Sequence, residues 1–279
     1  MAVNTKALKA RIRSVDSTMH ITKAMELVAS SKIKRARARM EEGRFYRSVL
    51  MEAFADLGSS DTVYSRARAG LPALHIVIAG DRGLAGGYNN SVFKLAAASI
   101  AEGDFVLPIG RRALEYYAHR GFASPDGLSF SVEELDSAAC AAVAAAVKRL
   151  YDEEKIASVA LVSTAFRSML TQEAIRSVLL PLSRQSEPKE AKEKRGASVL
   201  YEPDPESVLE AIIPEYLAGV VYTAACESFA CELAARRTAM DTASKNASAM
   251  IDDLNLKYNR ARQGAITQEI TEIVAGSNA

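Results

Sequence analysis

The sequence predicts an α/β fold: a long antiparallel two-helix coiled coil from the N- and C-termini, with an inserted Rossmann-like α/β domain. Three observations carry this. Residues 3–57 contain no proline, and their apolar side chains recur at steps of three and four. Residues 215–275 repeat that pattern at the other end of the chain. Between them, β-rich apolar runs alternate with helical patterns, the signature of a mainly parallel sheet with helices on its faces. The expected divisions are a first coil arm over 1–57, an α/β domain over 70–203 and a second arm over 205–279.

In the first arm the stripe runs Leu8, Ile12, Val15, Met19, Thr22, Met25, Ala29, Ile33, Ala36 and Met40, with Thr22 its one polar member. At the rise of an α-helix this arm is roughly 80 Å long. The second arm carries Met240, Ala243, Ala247, Met250, Leu254, Tyr258, Ala261 and Ala265 at the same spacing. Pro214 is expected at its first turn, where a missing N–H has no consequence. Each seam is too narrow for a globular core and suits a two-stranded coil. The alanines of the second seam allow a close approach.

In the middle, Leu74–Ala79 reads as a buried strand ending in a glycine turn, and Asn90–Ala101 as a helix. Phe105–Ile109 is a second strand, whose Pro108 points to a sheet edge or a strand end. Arg111–Arg120 and Val132–Tyr151 are helices, and Ile156–Phe166 and Glu173–Leu180 strands. Ser183–Arg195 is polar and alternates in sign, so it is expected to be a mobile surface loop.

Composition excludes several classes. Thirty-five Lys and Arg against 34 Asp and Glu leave a net charge of +1, so charge predicts neither a nucleic-acid nor a membrane-surface partner. No apolar run approaches the roughly 20 residues of a spanning helix. The basic N-terminal residues are not followed by a signal core, so the chain is expected in the cytoplasm, starting near Met1. Cys140, Cys226 and Cys231 show no metal spacing. The last two sit about 140° apart around a helix and cannot easily bridge, so buried reduced thiols are expected. His20, His75 and His119 are scattered, and no nucleophile elbow or nucleophile–base pair stands out. No catalytic residue, cofactor or metal is expected.

Two motifs remain. Gly80-Asp-Arg-Gly-Leu-Ala-Gly-Gly87 follows a strand and opens a helix, where backbone N–H groups could cradle a phosphate. Its spacing is not that of a dinucleotide fingerprint, and no Gly-Lys-Ser/Thr follows. The alternative is a tight turn that packs on another surface. The basic run Lys32, Lys34, Arg35, Arg37 and Arg39 holds no acid. It is either a solvated face, a nucleic-acid contact or a surface for an acidic protein.

Four segments, in order along the chain, resemble the F-type ATP synthase gamma subunit family. They are Ile21–Lys32 (ITKAMELVASSK), Asp81–Gly87 (DRGLAGG), Tyr201–Pro205 (YEPDP) and Tyr258–Val274 (YNRARQGAITQEITEIV). The resemblance implies a central-stalk rotor without bond chemistry of its own. Its coil would stand inside a ring of alpha and beta subunits, and its α/β domain would rest on the c-ring and hold the epsilon subunit. Proton flow would turn it, and unequal contacts would drive each beta site through its states. It further implies contacts with the alpha/beta ring at Lys32, Lys34, Arg35, Arg82, Arg236, Arg262, Gln263, Thr267 and Glu269. Tyr201, Glu202 and Asp204 would meet epsilon and the c-ring. No nucleic acid is implied, and the membrane is reached only through the c-ring, on the cytoplasmic face of a bacterial inner membrane. Ala85 stands where relatives often carry cysteine, and the insertion with regulatory cysteines of the plant chloroplast form is absent, so thiol control is not expected. The readings that compete are a nucleotide-binding α/β enzyme with helical dimerisation arms and a free-standing coiled-coil scaffold.

Overall fold

The structure, a computed structural model, describes residues 5–57, 62–66, 68–125, 128–182, 201–202 and 204–277. The chain forms two compact units, Met1–Ser31 with Arg236–Ala279, and Lys32–Ala235. The elements are α1 (Thr5–Leu57), β1 (Ala73–Ile78), α2 (Tyr88–Ala97), β2 (Phe105–Ile109), α3 (Arg111–Tyr117), α4 (Ser137–Asp152), β3 (Ser158–Phe166), β4 (Gln172–Leu180) and α5 (Pro205–Ser277). The segment expected as a polar loop, Ser183–Arg195, lies outside the described residues.

In the first unit, the α1 seam falls as the periodicity predicts. Leu8, Ile12, Val15, Met19, Thr22 and Met25 are half-buried and Ala29 is buried, while most of their neighbours are exposed. On α5, Met240, Ala247 and Leu254 are buried. Thr22 earns its place by polarity: its hydroxyl meets the Ser244 hydroxyl at 2.8 Å. Two seam positions are corrected. Ala265 is exposed, beyond the half-buried Ala261. Met250 is 45% exposed, and Ile251 is half-buried instead. The steps from Ala247 to Ile251, Leu254 and Tyr258 then alternate four, three and four, which keeps one face inward.

In the second unit the four-stranded sheet has the order β2-β1-β3-β4. β1 runs parallel to β2 and β3, and β4 antiparallel to β3. Pro108 lies on β2, an edge strand, where its missing N–H costs no ladder bond inside the sheet. The period of two sends alternate side chains to opposite faces. Leu74, Ile76 and Ile78 of β1 join Leu107, Ile109, Val159 and Leu161 against α4 and α5. Val77 joins Val106 and Val162 against Val92 and Ala96 of α2 and Ala113 and Tyr117 of α3. Helices therefore cover both faces. α4 begins at Ser137 and not at Val132, because the Asp136 side chain accepts the Ala139 N–H at 2.8 Å and caps it there.

The start of the last helix is also corrected. α5 begins at Pro205, with Pro214 inside it. Asp204 provides the start: its carboxylate accepts the Ser207 N–H at 2.9 Å and the Ser207 hydroxyl at 2.7 Å. Pro205 then occupies the position where proline is harmless. Burial of Leu209, Ile213, Tyr216 and Leu217 around Pro214 offsets the lost helical bond. Here α1 and α5 run antiparallel. The Thr223 hydroxyl donates to the Gly43 carbonyl at 3.3 Å, and a Cβ at Gly219 would lie 2.6 Å from the Tyr46 ring. α5 does hold a stretch long and apolar enough to cross a membrane, against expectation. More than half of that stretch is buried in the chain, as in a core helix.

The buried His75 ring meets Asp104 at 3.0 Å from β1. Burial holds the His75 pKa below 6.5, with Asp104 opposing it and Arg176 of β4 reinforcing it. Burial by itself would raise Asp104, but the N–H groups of Ala101 and Ala73 and the His75 ring hold it below 3.8. An unfolded His75 therefore takes up a proton that the folded one resists. Its contribution favours folding above pH 6.5 and falls as pH drops below 6.5 toward the depressed folded value. Urea melts of the chain should show midpoints declining over that window, and His75→Asn should flatten the decline; an unchanged slope would refute it.

Candidate partner interfaces

Several expected contact residues surround the glycine turn. The turn leaves β1 at Gly80 and enters α2 at Tyr88, with Leu84 at φ 60 and Gly86 at φ 58. A non-glycine residue in the left-handed region is uncommon, and Leu84 is 65% exposed. The first three N–H groups of the turn are taken by the chain itself, that of Gly80 by the Asn89 side chain at 2.8 Å. Glu232 of α5, 1% exposed, accepts from Asp81 N at 3.3 Å and from Arg82 N at 3.2 Å. The turn thus packs on another surface, the second of the two readings of this motif, and that surface is α5.

Asp81 is a structural tie. One carboxylate oxygen accepts the N–H groups of Arg111 and Val132, each at 3.1 Å. The other accepts the Glu133 N–H at 2.9 Å and the Ser131 hydroxyl at 2.8 Å. This holds the segment before α4 against the start of α3, and it positions Glu133. Lys32 of α1 donates to Glu133, and Arg82 lies 3.9 Å from its other oxygen. Two basic residues far apart in sequence thus converge on one acid. Lys34 and Arg35 are exposed beside them on α1.

At the far end of α5, Arg262, Gln263, Thr267 and Glu269 are all exposed. Thr267 donates to the Gln263 carbonyl at 3.0 Å. Ile266, Ile270, Ile273 and Val274 are exposed at 45%, 56%, 70% and 54%. A helix that presents branched apolar residues to solvent over two turns suits a binding partner. Arg236 differs from the others in being buried. Tyr201 packs partly on the main core, and Glu202 and Asp204 are exposed. Asp204 also caps α5, a role its position before Pro205 could have announced.

The sequence reading missed Glu133, Glu227 and Glu232. Glu227 and Glu232 are the two acids of Ala224–Ala235, and their isolation in an alanine-rich stretch was the available signal. All three thiols are free; Cys140 and Cys231 are buried as expected, and Cys226 is only half-buried. Burial pushes Cys140 up to about 12 and raises Cys226 and Cys231 as well, which makes all three poor nucleophiles. Among the described residues no group of His, Cys, Asp and Glu could hold a metal ion.

The family model described as ATP synthase matches residues 4–279. The ATP synthase gamma chain of Ruminococcus albus is 42% identical over 98% of this chain and 98% of its own. That of Alkaliphilus metalliredigens is 40% identical over 100% and 99%. A gamma chain of Acetobacterium woodii, described as sodium ion specific, is 38% identical over 100% and 99%. Among solved structures, a chain of the Tetrahymena thermophila mitochondrial ATP synthase central stalk and c-ring aligns with a TM-score of 0.58 and 25% identity, covering 80% of this chain and 99% of that one. A chain of the Euglena gracilis mitochondrial ATP synthase shares the fold, with a TM-score of 0.70 at 15% identity over 98% and 93%. With the full length matched and all four signature segments present, the chain belongs to the ATP synthase gamma chain family.

Proposed function

We propose that this chain is the non-catalytic rotor of the central stalk of an F-type ATP synthase. The observation that carries the reading is the full-length likeness to gamma chains at 42% identity. Residues 1–57 and 205–279 are the shaft, and 70–203 the foot. The shaft turns inside the ring of alpha and beta subunits, and the foot joins the epsilon subunit and the c-ring. The complex sits at the cytoplasmic face of the bacterial membrane, and this chain reaches the membrane only through the c-ring.

Ring contacts fall into two groups. Arg262, Gln263, Thr267 and Glu269 meet the ring at the end of α5, and buried Arg236 supports the shaft from within. Lys32, Lys34, Arg35 and Arg82 meet an acidic beta segment, which must compete with Glu133 for Lys32 and Arg82. Tyr201, Glu202 and Asp204 face epsilon and the c-ring. Arginine suits a contact that must carry load, because its charged fork meets a carboxylate through two bonds. Each such bond contributes about 1.5–3 kcal/mol, so the load is shared.

ATP synthesis by membrane vesicles tests this. Arg262→Ala or Gln263→Ala alone should slow synthesis with normal assembly, and the combined variant with Glu269→Ala should slow it more than either. Full synthesis in the combined variant would put the load on shape and not on these side chains.

A further inference from the structure

We propose that Glu227, Ser228 and Glu232 key α5 into the α/β domain at one fixed angle and so carry torque between foot and shaft; this rests on the rotor reading above. All three are buried, at 8%, 1% and 1% exposure. Glu227 accepts the N–H of Phe166, the last residue of β3, at 2.9 Å, and the Arg44 guanidinium of α1 at 2.5 Å. The same Arg44 nitrogen donates to the Phe166 carbonyl at 2.9 Å. The Ser228 hydroxyl accepts the Thr164 N–H at 3.3 Å, and its carbonyl accepts the Tyr88 hydroxyl at 3.0 Å. Glu232 holds the glycine turn through Asp81 N and Arg82 N. The end of β3, the turn after β1 and the start of α2 are therefore all tied to six consecutive residues of α5.

These bonds sit in a smooth apolar contact. Ala230, Leu233 and Ala234 pack on Ile33, Ala36 and Met40, and Cys231 packs on Ala85 and Tyr88. Apolar packing is non-directional and favours burial with little preference for angle. Hydrogen bonds weaken steeply when misaligned. Glu227, Ser228 and Glu232 span about 140° of the helix circumference. A turn of α5 about its own axis would break their bonds together and strand two buried carboxylates. The fit at Gly80 is equally specific: a Cβ there would lie 2.7 Å from the Glu232 carboxyl carbon. Buried polar groups fixing a register is an attested use of this kind of contact.

The test uses the assembled complex, with the head fixed and a bead on the foot. In Glu227→Ala/Glu232→Ala complexes, ATP hydrolysis should stay within about two-fold of wild type. ATP-driven ion pumping should fall by about five-fold or more, and the angular variance of the stalled bead should rise about two-fold or more, because the directional bonds are gone. Glu227→Gln/Glu232→Gln retains acceptor oxygens and should recover most of the loss. Unchanged variance and pumping in an assembled alanine variant would overturn the key and leave the rotor intact. If the alanine pair fails to assemble, Ser228→Ala decides alone: it removes the acceptor of the Thr164 N–H and should raise the variance measurably, and a wild-type variance would overturn the proposal. Failure of the rotor reading is separate and visible in wild type, whose bead would not rotate with ATP.

Discussion

Gly110→Ala is expected to destabilise the α/β domain by about 4 kcal/mol or more, which places it among the exceptional single substitutions. Gly110 ends β2 and precedes α3 with φ 96 and ψ 142. A Cβ there would lie 2.0 Å from the Ala79 carbonyl oxygen and 3.0 Å from its carbon. That neighbour is backbone, held where the Ala79 N–H donates to the Ile109 carbonyl at 3.0 Å. It cannot swing aside as a side chain would. The left-handed φ adds about 1–3 kcal/mol for any residue with a Cβ. Relief requires β1 and β2 to part at the ends from which the glycine turn and α3 emerge. Immunoblots of membranes should show the variant chain missing from the complex. An urea melt within 1 kcal/mol of wild type, roughly the size of an ordinary mutation, would contradict the argument.

Asp81→Ala should be nearly as damaging, for a different reason. It removes the acceptor from three backbone N–H groups and one hydroxyl at once. Each donor left without a partner costs about 1–3 kcal/mol when buried; these are only partly buried and water will recover some, so we expect about 3 kcal/mol in all. Glu133 should then lose its fixed position, and Lys32 and Arg82 their shared partner. Asp81→Asn should fall between: its oxygen can still accept from Arg111 and Val132, while its amide faces the Glu133 N–H, donor against donor. Paired urea melts of the two variants should rank them in that order. Equal stability of both variants and wild type would mean that Asp81 is not the tie described here.

Much of the fold was legible because periodicity is local. The α1 stripe from Leu8 to Met40 could be read position by position, since 3.6 residues per turn leave one face to bury. The alternation of Leu74, Ile76 and Ile78 with Val77 likewise assigned strand side chains to two faces. Boundaries were read less well where a single side chain decides them. Asp136 starts α4 and Asp204 starts α5 through short carboxylate caps, and Pro214 is carried inside a helix because the surrounding core holds it. Met250 and Ile251 are both apolar and adjacent, so only the partner's surface chooses between them.

The functional surfaces divide in the same way. By itself the sequence determined the two arms, the sheet between them, the four signature segments and the poor fit of Gly80–Gly87 to a phosphate loop. Only the tertiary structure decided what fills that loop, because Glu232 lies some 150 residues away. Only the tertiary structure brought Lys32 and Arg82 onto Glu133, and Glu227 onto Arg44 and Phe166. A buried carboxylate finds its partners through the path of the backbone, and a spacing pattern along one helix holds no record of that path.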